Sequence, residues 1–275
     1  MRASFRFFLC LFCLALLLAS GYGNDVPPAE QDRKAGERMV LKIQDVEYAF
    51  RWCPAGTFMM GDADNQHQVG LSRGFWLLET EVTQEMWEKV MGNNPSNFKG
   101  AKLPVECVSW NNCQEYVKQL NDLLAGTPLL AGTPLLAGTP GAGYKFSLPT
   151  EAQWEYACRA GTTTAYSFGD TLTQQQANFG GNQTKDVGSY PANAWGLKDM
   201  HGNVWEWVQD WYGDYPSGAV TNPTGADRGS YRVVRGGGWN YSAVLCRSAS
   251  RLNDAPSSRG ITSGVGLRLA LVRAE

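Results

Sequence analysis

The sequence predicts an α+β domain with few regular elements and much loop, and three observations support this fold class. Capping residues followed by amphipathic runs, which are typical of helices, occur only before Ala165. After that position Asn, Gly, Trp and Pro dominate for about seventy residues. Trp and Gly also occur together, in NAWG, GNVWEW and GGGW, as is typical of loops held by large aromatic side chains.

The N-terminus predicts export of the chain. Arg2 and Arg6 precede an apolar run, residues 7–18, which ends in Ala-Ser-Gly. A membrane anchor needs about 20 apolar residues, so the run indicates a cleaved signal peptide and no anchor thereafter. We therefore expect a secreted, periplasmic or cell-envelope protein. The expected division is a signal peptide at 1–21, a polar linker at 22–38 and one domain at 39–275.

Charge and cysteine content restrict the partners and the covalent bonds. The net charge is −2, and the absence of a Lys/Arg cluster after the leader argues against a nucleic-acid partner. The cysteines that follow the leader are Cys53, Cys107, Cys113, Cys158 and Cys246. Their odd number allows at most two disulfides in an oxidising compartment, and Cys158 with Cys246 is a candidate pair.

The first half alternates predicted strands and capped helices. Residues 39–58 predict two short strands with a turn at Pro54, and residues 74–80 predict another strand. Thr83 caps a helix over residues 84–91 that Gly92 ends.

Two further helices follow before Ala165. Ser109 caps a helix that begins at Trp110 and ends near Leu124. Thr150 and Gln153 form a capping box for a helix over residues 151–160. Between these helices LLAGTP occurs three times, which predicts an expanded surface loop at 123–140.

The segment LKDMHGNVWEWVQDW, residues 197–211, contains candidate metal ligands. Asp199 and Glu206 supply carboxylate oxygens, and Gly202 permits a tight turn that directs carbonyl groups inward. Oxygen donors in this spacing suit Ca²⁺ better than Zn²⁺. The alternative is a turn braced by Trp205 and Trp207, with no ion.

The segment 240–263 has a restricted residue alphabet. It contains no Lys, Glu, Gln, Met or Trp, although these residues are frequent just upstream. All residues present are encoded by codons that end in a pyrimidine. Cys246 within it could be a nucleophile, half of a copper site, a disulfide partner or a buried thiol. A single thiolate favours the last two possibilities.

Six motifs in order resemble the formylglycine-generating enzyme, or sulfatase-modifying factor, family from about Met39 to the end of the chain. The motifs are FMMGD, EVTQEMWEKVMG, PVECVSWNNCQEY, SLPTEAQWEYACRAGT, NAWGLKDMHGNVWEWVQDW and RVVRGGGW with CRSASR. The resemblance implies a C-type-lectin-like variant of the α+β class with calcium-stabilised loops. It implies side-chain ligands at Asp199 and Glu206 and carbonyl ligands at Gly202 and Val204. Asn178 and Phe179 match the start of a second calcium site.

The family's catalytic feature matches poorly. Its enzymes use two cysteines five residues apart to bind copper and convert a sulfatase cysteine to formylglycine. One alignment places Cys246 on the first cysteine, and another places Ala243 and Ser248 on the pair. At least one thiol is missing in either case, so we expect neither a copper site nor this oxidase activity.

The C-terminus instead resembles the variable proteins of diversity-generating retroelements, which display a mutable binding surface on this fold. Randomisation of adenines in their codons leads to the same restricted alphabet, and GVGLRLAL is similar to the end of such regions. The implied contact residues are Tyr241, Ser242, Val244, Leu245, Ser250, Leu252, Asn253, Asp254, Ser258, Ile261 and Thr262. Trp239, Arg247, Arg251 and Arg268 would be scaffold.

Three functions follow from these observations. The favoured one is an exported, non-catalytic module that binds a protein or other macromolecular ligand outside the cytoplasm through residues 240–263. The second is a protein-modifying oxidoreductase that uses Cys246. The third is a structural or assembly domain of the envelope.

Overall fold

The computed structural model describes residues 30, 32–62, 65–126, 143–260 and 264–274. The predicted signal peptide lies outside the described residues, as do most of the predicted linker and most of the LLAGTP loop. None of the helices within the described ranges has the length and apolar content that crossing a bilayer requires.

Twelve strands of the described part form three sheets. The strands are β1 (Arg38–Ile43), β2 (Val46–Cys53), β3 (Gly56–Met60), β4 (His67–Leu71), β5 (Phe75–Leu78), β6 (Tyr144–Ser147), β7 (Trp205–Trp211), β8 (Val220–Thr221), β9 (Arg232–Arg235), β10 (Arg251–Asp254), β11 (Val265–Leu267) and β12 (Ala270–Arg273). Their orders are β1-β2-β5-β12-β6, β10-β9-β7-β11 and β3-β4-β8. Neighbouring strands are antiparallel except for the pairs β7–β11 and β4–β8.

Within the described residues three helices lie before Ala165, as predicted: α1 (Gln84–Met91), α2 (Trp110–Gly126) and α3 (Glu151–Arg159). The side chain of Thr83 accepts a hydrogen bond from the Met86 amide, and Gly92 ends α1 with φ 71°. Thr150 and Gln153 form both bonds of the predicted capping box. The predicted caps are therefore confirmed.

Two clusters of buried side chains form the core. One is rich in tryptophan and lies between the five-stranded sheet, α1 and α2. The other packs α3 against β3, β4 and β7. Because α3 packs on both β7 and β9, its charged N-terminal turn lies beneath the segment that follows β9.

Some element boundaries differ from the predictions. The structure has three strands where the sequence predicts two, since β3 continues after the turn at Pro54. The β-like run at 265–272 is divided between two sheets, at β11 and β12. Helix α2 extends to Gly126, so the first residues of the predicted 123–140 loop are helical.

The described part of the predicted linker lies against the domain. Glu30 is buried, and its Oε1 atom accepts a hydrogen bond from Arg273 at 2.8 Å. The Arg33 guanidinium lies 4.9 Å from the ring centroid of Trp76, and the Gly36 amide donates to the carbonyl of Trp52. Residues 32–38 are thus part of the packed structure and do not behave as a free connection.

Candidate functional site

The display segment, residues 240–263, begins after a glycine turn that follows β9. Gly236 and Gly237 have φ values of 98° and 82°, a backbone region that L-residues rarely adopt. A Cβ atom on Gly237 would lie 2.5 Å from the Cys246 sulfur, so the backbone passes directly beneath the segment. The segment then forms a 3-10 turn at Ala243–Cys246 and continues into the edge strand β10.

Four of the predicted contact residues are exposed: Ser242, Val244, Leu252 and Asn253. Val244 is 57% exposed and Leu252 is 37% exposed, which is unusual for aliphatic side chains. Exposed apolar anchors beside small polar groups are typical of binding surfaces.

Two further predicted contact residues pack inward. Tyr241 and Leu245 are half-buried and pack against the tryptophan-rich core cluster. The Tyr241 ring lies edge-on to Trp205, with a centroid distance of 5.5 Å and an angle of 85°. Their apolar surface is thus engaged largely with the core, and only the remaining half is accessible to a ligand.

Three of the remaining predicted contact residues are less accessible to a ligand. Ser250, Asp254 and Ser258 are half-buried. The carbonyl of Ser250 accepts a hydrogen bond from the guanidinium of Arg235, and the Ser258 hydroxyl donates to Asp254 at 2.6 Å. Ile261 and Thr262 lie outside the described residues.

A cleft of about 240 Å³ adjoins the 3-10 turn. It is lined on one side by Val244, Leu245, Arg247 and residues 249–251, and on the other by Asp62, Asn65 and Tyr215. Arg247 lines the same cleft and is exposed, and its side chain also hydrogen-bonds Tyr166, so its scaffold role stays a prediction. Asp62 ends the FMMGD motif, whereas no local sequence pattern marks Asn65 or Tyr215, because only folding brings them to this place.

Arginine side chains hold the segment from below, as the resemblance implies. Arg251 binds both carboxylate oxygens of Glu151 at 2.8 Å. Arg235 is fully buried and ion-paired with Glu155 of α3. Buried two-point pairs of this kind are rigid because the planar guanidinium allows one orientation.

A histidine attaches the display segment to the HGN turn, which is formed by residues 201–203. The Nδ1 atom of His201 lies 2.8 Å from the carbonyl oxygen of Cys246, and its Nε2 atom accepts from the Ser167 amide at 3.1 Å. Since a carbonyl only accepts, Nδ1 carries the proton and the ring is neutral. Burial lowers the pKa of His201 to about 4.

The cysteines of the described ranges are all free thiols, so the candidate Cys158–Cys246 disulfide is not formed. The Cys158 sulfur lies 3.6 Å from the Ser248 hydroxyl, and the Cys246 sulfur lies 3.7 Å from the Ser242 carbonyl. Burial raises the pKa of each thiol to about 12. Neither thiol is therefore a nucleophilic thiolate near neutral pH.

The predicted calcium ligands surround an arginine. Glu206 accepts hydrogen bonds from Arg268 on both oxygens, and its Oε2 atom also accepts from Trp154 at 2.7 Å. Asp199 has φ 58° and accepts from the amide of Gly188. Gly202 and Val204 lie on the connecting turn and are buried.

The charge around Arg268 fits an additional cation. Glu81, Asp199 and Glu206 interact electrostatically with this one buried guanidinium. Burial raises the pKa of Glu81 and of Asp199, and the Oε2 atom of Glu81 has no hydrogen-bond partner. Within the described residues no group of three His, Cys, Asp or Glu side chains is arranged around a metal position. Calcium binding by Asp199, Gly202, Val204 and Glu206 stays a prediction.

Asn178, the start of the second predicted site, braces the HGN turn. Its Nδ2 atom donates to Asn203 Oδ1 at 3.0 Å, and its carbonyl accepts from the Asn203 amide at 2.8 Å. The carbonyl of Phe179 accepts from Gln174 at 3.3 Å. These contacts assign Asn178 a structural role whether or not an ion binds.

Comparison with known proteins assigns this arrangement to a family. A family model described as a sulfatase-modifying factor enzyme 1-like domain matches residues 44–272. The chain belongs to the sulfatase-modifying factor family. The solved structure of Treponema denticola variable protein 1 is similar, with a TM-score of 0.74 and 32% identity, over 86% of this chain and 99% of that one. The predicted C-type-lectin-like α+β fold of the sulfatase-modifying factor family is confirmed.

Two sequence relatives of this sulfatase-modifying factor domain carry enzyme names. The formylglycine-generating enzyme of Mus musculus is 30% identical over 225 residues, which are 74% of this chain and 53% of that enzyme. The serine/threonine-protein kinase pkn1 of Chlamydia caviae is 44% identical over 128 residues, which are 45% of this chain and 20% of the kinase. The chain thus spans about a fifth of the length of this kinase.

Proposed function

We propose that this protein is an exported, non-catalytic binding module whose display segment contacts a protein or other macromolecular ligand. The observation that carries the proposal is the exposure of Val244 and Leu252 on a rigidly anchored backbone. Apolar anchors on such a frame bind with little loss of conformational entropy.

The display segment is anchored through its backbone carbonyl groups and not through its exposed side chains. The carbonyls of Trp239 and Tyr241 accept hydrogen bonds from the amides of Gly181 and Gly180. The Cys246 carbonyl is bound by His201. Because these bonds use the backbone of the segment, side chains at Ser242 or Leu252 can change without altering its path.

Similarity to Treponema denticola variable protein 1 supports the same proposal, because that similarity extends over nearly the whole of that chain. A diversified segment requires a near-identical template repeat close to the gene, with adenines at the positions where the two copies differ. Sequencing of the flanking DNA tests this requirement, and a flank without such a repeat would contradict diversification.

A display experiment tests the binding surface itself. A library randomised at Ser242, Val244, Leu252 and Asn253 is selected against immobilised hen egg-white lysozyme. A matched library is randomised at exposed residues of α1 and α2, namely Glu88, Glu115, Lys118 and Asp122. Enrichment of binders from the first library alone supports the proposal. Equal enrichment from both, or none from the first, contradicts it.

The alternative function is oxidation of a protein cysteine, and the identity to formylglycine-generating enzyme favours it. Against it, Cys246 is buried, and Ala243 and Ser248 supply no thiol. The test incubates the chain with one equivalent of copper, oxygen and a cysteine-containing peptide. Aldehyde formation that is lost in Cys246→Ala would replace the binding proposal with the enzymatic one.

Calcium is proposed as a structural ion only. Asp199 and Glu206 would supply carboxylate oxygens, and Gly202 and Val204 would supply carbonyl oxygens. The ion would neutralise part of the negative charge that Glu81, Asp199 and Glu206 place around Arg268. It would thereby stabilise the turn that carries His201, and with it the base of the display segment.

A further inference from the structure

A second cavity, of about 500 Å³, lies beside the display cleft and shares Tyr215 and Arg251 with it. It is bounded by β4, the start of α3, the end of β7 and the loop at residues 211–226. Its volume is within the range of small-molecule sites and far above the space that one water needs. None of the predicted site residues lines it.

Buried ionisable side chains line this cavity. Asp210 is 3% exposed, Glu151 2% and His67 6%. Glu151 is neutralised by its two bonds to Arg251 and also accepts from the hydroxyl of Tyr215 at 3.1 Å. Among the described residues, neither Asp210 nor the exposed Asp214 at the rim forms an ion pair. The lining therefore has three carboxyl groups, of Glu151, Asp210 and Asp214, against the guanidinium of Arg251. Arg235 and Arg232 interact electrostatically with Asp210 from outside the lining.

Asp210 has unused acceptor capacity. Its Oδ2 atom accepts from the Glu151 amide at 2.8 Å, whereas no described residue donates to Oδ1. Burial and, as a smaller effect, the Glu151 carboxylate raise the pKa of Asp210 to about 7, against the opposing effects of the Glu151 amide, Arg251 and Arg235. A cation that entered the cavity would favour the ionised form.

His67 supplies a second acceptor. Its Nδ1 atom lies 3.2 Å from the carbonyl oxygen of Asn65. A carbonyl only accepts, so Nδ1 carries the proton in this contact, and Nε2 is an acceptor when the ring is neutral. No described residue bonds to Nε2. The rest of the lining includes Met60, Val220 and Pro223, which suit an alkyl chain.

We propose that this cavity binds an alkylammonium group, with Asp210 as its counter-ion and His67 as a second acceptor. The volume and apolar lining favour an organic cation over a bare metal ion, which would need more oxygen ligands. The ammonium group can come from a free amine or from a lysine side chain of a larger ligand. The proposal does not depend on the display segment.

Calorimetric titration of the full chain tests the proposal. The probes are n-butylammonium, the capped peptide Ala-Lys-Ala and, as neutral controls, n-butanol and the norleucine peptide. Binding of butylammonium alone identifies a free amine as the source, and binding of the lysine peptide alone identifies a macromolecular one. Failure of both cationic probes at about 10 mM, or equal binding of the neutral ones, overturns the proposal.

Variants locate the site. Asp210→Asn keeps an acceptor for the Glu151 amide and should weaken binding about tenfold or more, because it removes the charge. Asp45→Asn is the matched control, since Asp45 is an exposed turn residue with φ 67°, which Asn also adopts. Unchanged affinity in folded Asp210→Asn overturns the assignment.

Proton release gives a readout that needs no variant. At pH 6 Asp210 is mostly protonated, so binding of a cation should release a proton, whereas at pH 8.5 it should release none. Calorimetric titrations in two buffers of different ionisation enthalpy measure the number of protons released per cation bound. The absence of proton release at pH 6 would exclude Asp210 as counter-ion, even if Asp210→Asn did not fold.

Discussion

The Nδ1 atom of His201 donates to the carbonyl oxygen of Cys246 across 2.8 Å, and this bond joins the HGN turn to the display segment. The ring lies among Tyr166, Phe168 and the buried thiol of Cys158, without access to water. A neutral imidazole is therefore one of the groups that hold the base of the display segment.

We predict that protonation of His201 destabilises the fold. The folded pKa of about 4 lies below the ordinary value of 6.5, so the unfolded chain binds the proton more tightly. Stability from this group is present above pH 6.5 and is lost as the pH falls towards 4, by about 3 kcal/mol.

Urea unfolding at pH 7 and pH 4.5 measures the effect against His201→Gln, which does not titrate. The difference between the two proteins isolates His201 from Asp210, whose raised pKa changes stability in the opposite direction. Equal pH dependence in both proteins would contradict the prediction.

Exposed positions of the display segment should tolerate substitution. Ser242→Asp, Val244→Asp and Asn253→Ala should each change the free energy of unfolding by about 0.5 kcal/mol or less, since their side chains are exposed. Leu245→Ala is the matched contrast and should cost about 1 to 2 kcal/mol, because Leu245 packs on the core. Chemical denaturation measures the free energy of unfolding of each variant. Equal losses in the exposed-position variants and in Leu245→Ala would show that the exposed positions do not tolerate substitution better than the core-packed one.

Gly237 should not accept a side chain. A Cβ atom there would lie 2.5 Å from the Cys246 sulfur and 3.0 Å from the Leu245 carbonyl, at a φ of 82°. Gly237→Ala should therefore cost about 2 to 3 kcal/mol. Gly218→Ala is the control, because nothing lies within 4 Å of its Cβ position. A melting temperature unchanged in both variants would show that the turn can rearrange.

Calcium binding should raise the melting temperature. Free calcium at a hundred times its Kd stabilises a folded protein by about 2.7 kcal/mol, so a chelator should lower the melting temperature of the wild-type chain. Asp199→Asn should be insensitive to the chelator, and the left-handed backbone at Asp199 suits Asn equally well. No response of the wild-type chain would remove Asp199 and Glu206 as ligands.

Local signals in the sequence predicted local structure. Thr83 and Thr150 cap helices because each side chain bonds an amide three residues ahead, which is a relationship within one turn. The predicted irregular stretch of about seventy residues after Ala165 is correct only in its first part. Described residues 160–204 contain neither helix nor strand, whereas β7, β8 and β9 follow. The order of the family motifs was sufficient to predict the fold class.

Long-range partners could not be predicted in this way. Arg247 and Arg251 both read as scaffold, and their partners are distant in the sequence: Arg247, an exposed residue, hydrogen-bonds Tyr166, and Arg251 binds Glu151, which is 100 residues away. Tyr241 and Leu245 read as display residues, yet both are partly buried and pack against the core. The cavity at Asp210 depends on β4, β7 and α3 meeting, and no spacing in the chain encodes that meeting.

The backbone bonds beneath the display segment also determine how such a surface can evolve. Hydrogen bonds to the carbonyls of Trp239, Tyr241 and Cys246 hold the path of the chain whatever side chains stand above it. Mutations at the exposed positions therefore cost little folding free energy, and selection can act on recognition alone. A lineage that carried many versions of this protein would keep one shape in common while its members differed in what they bind.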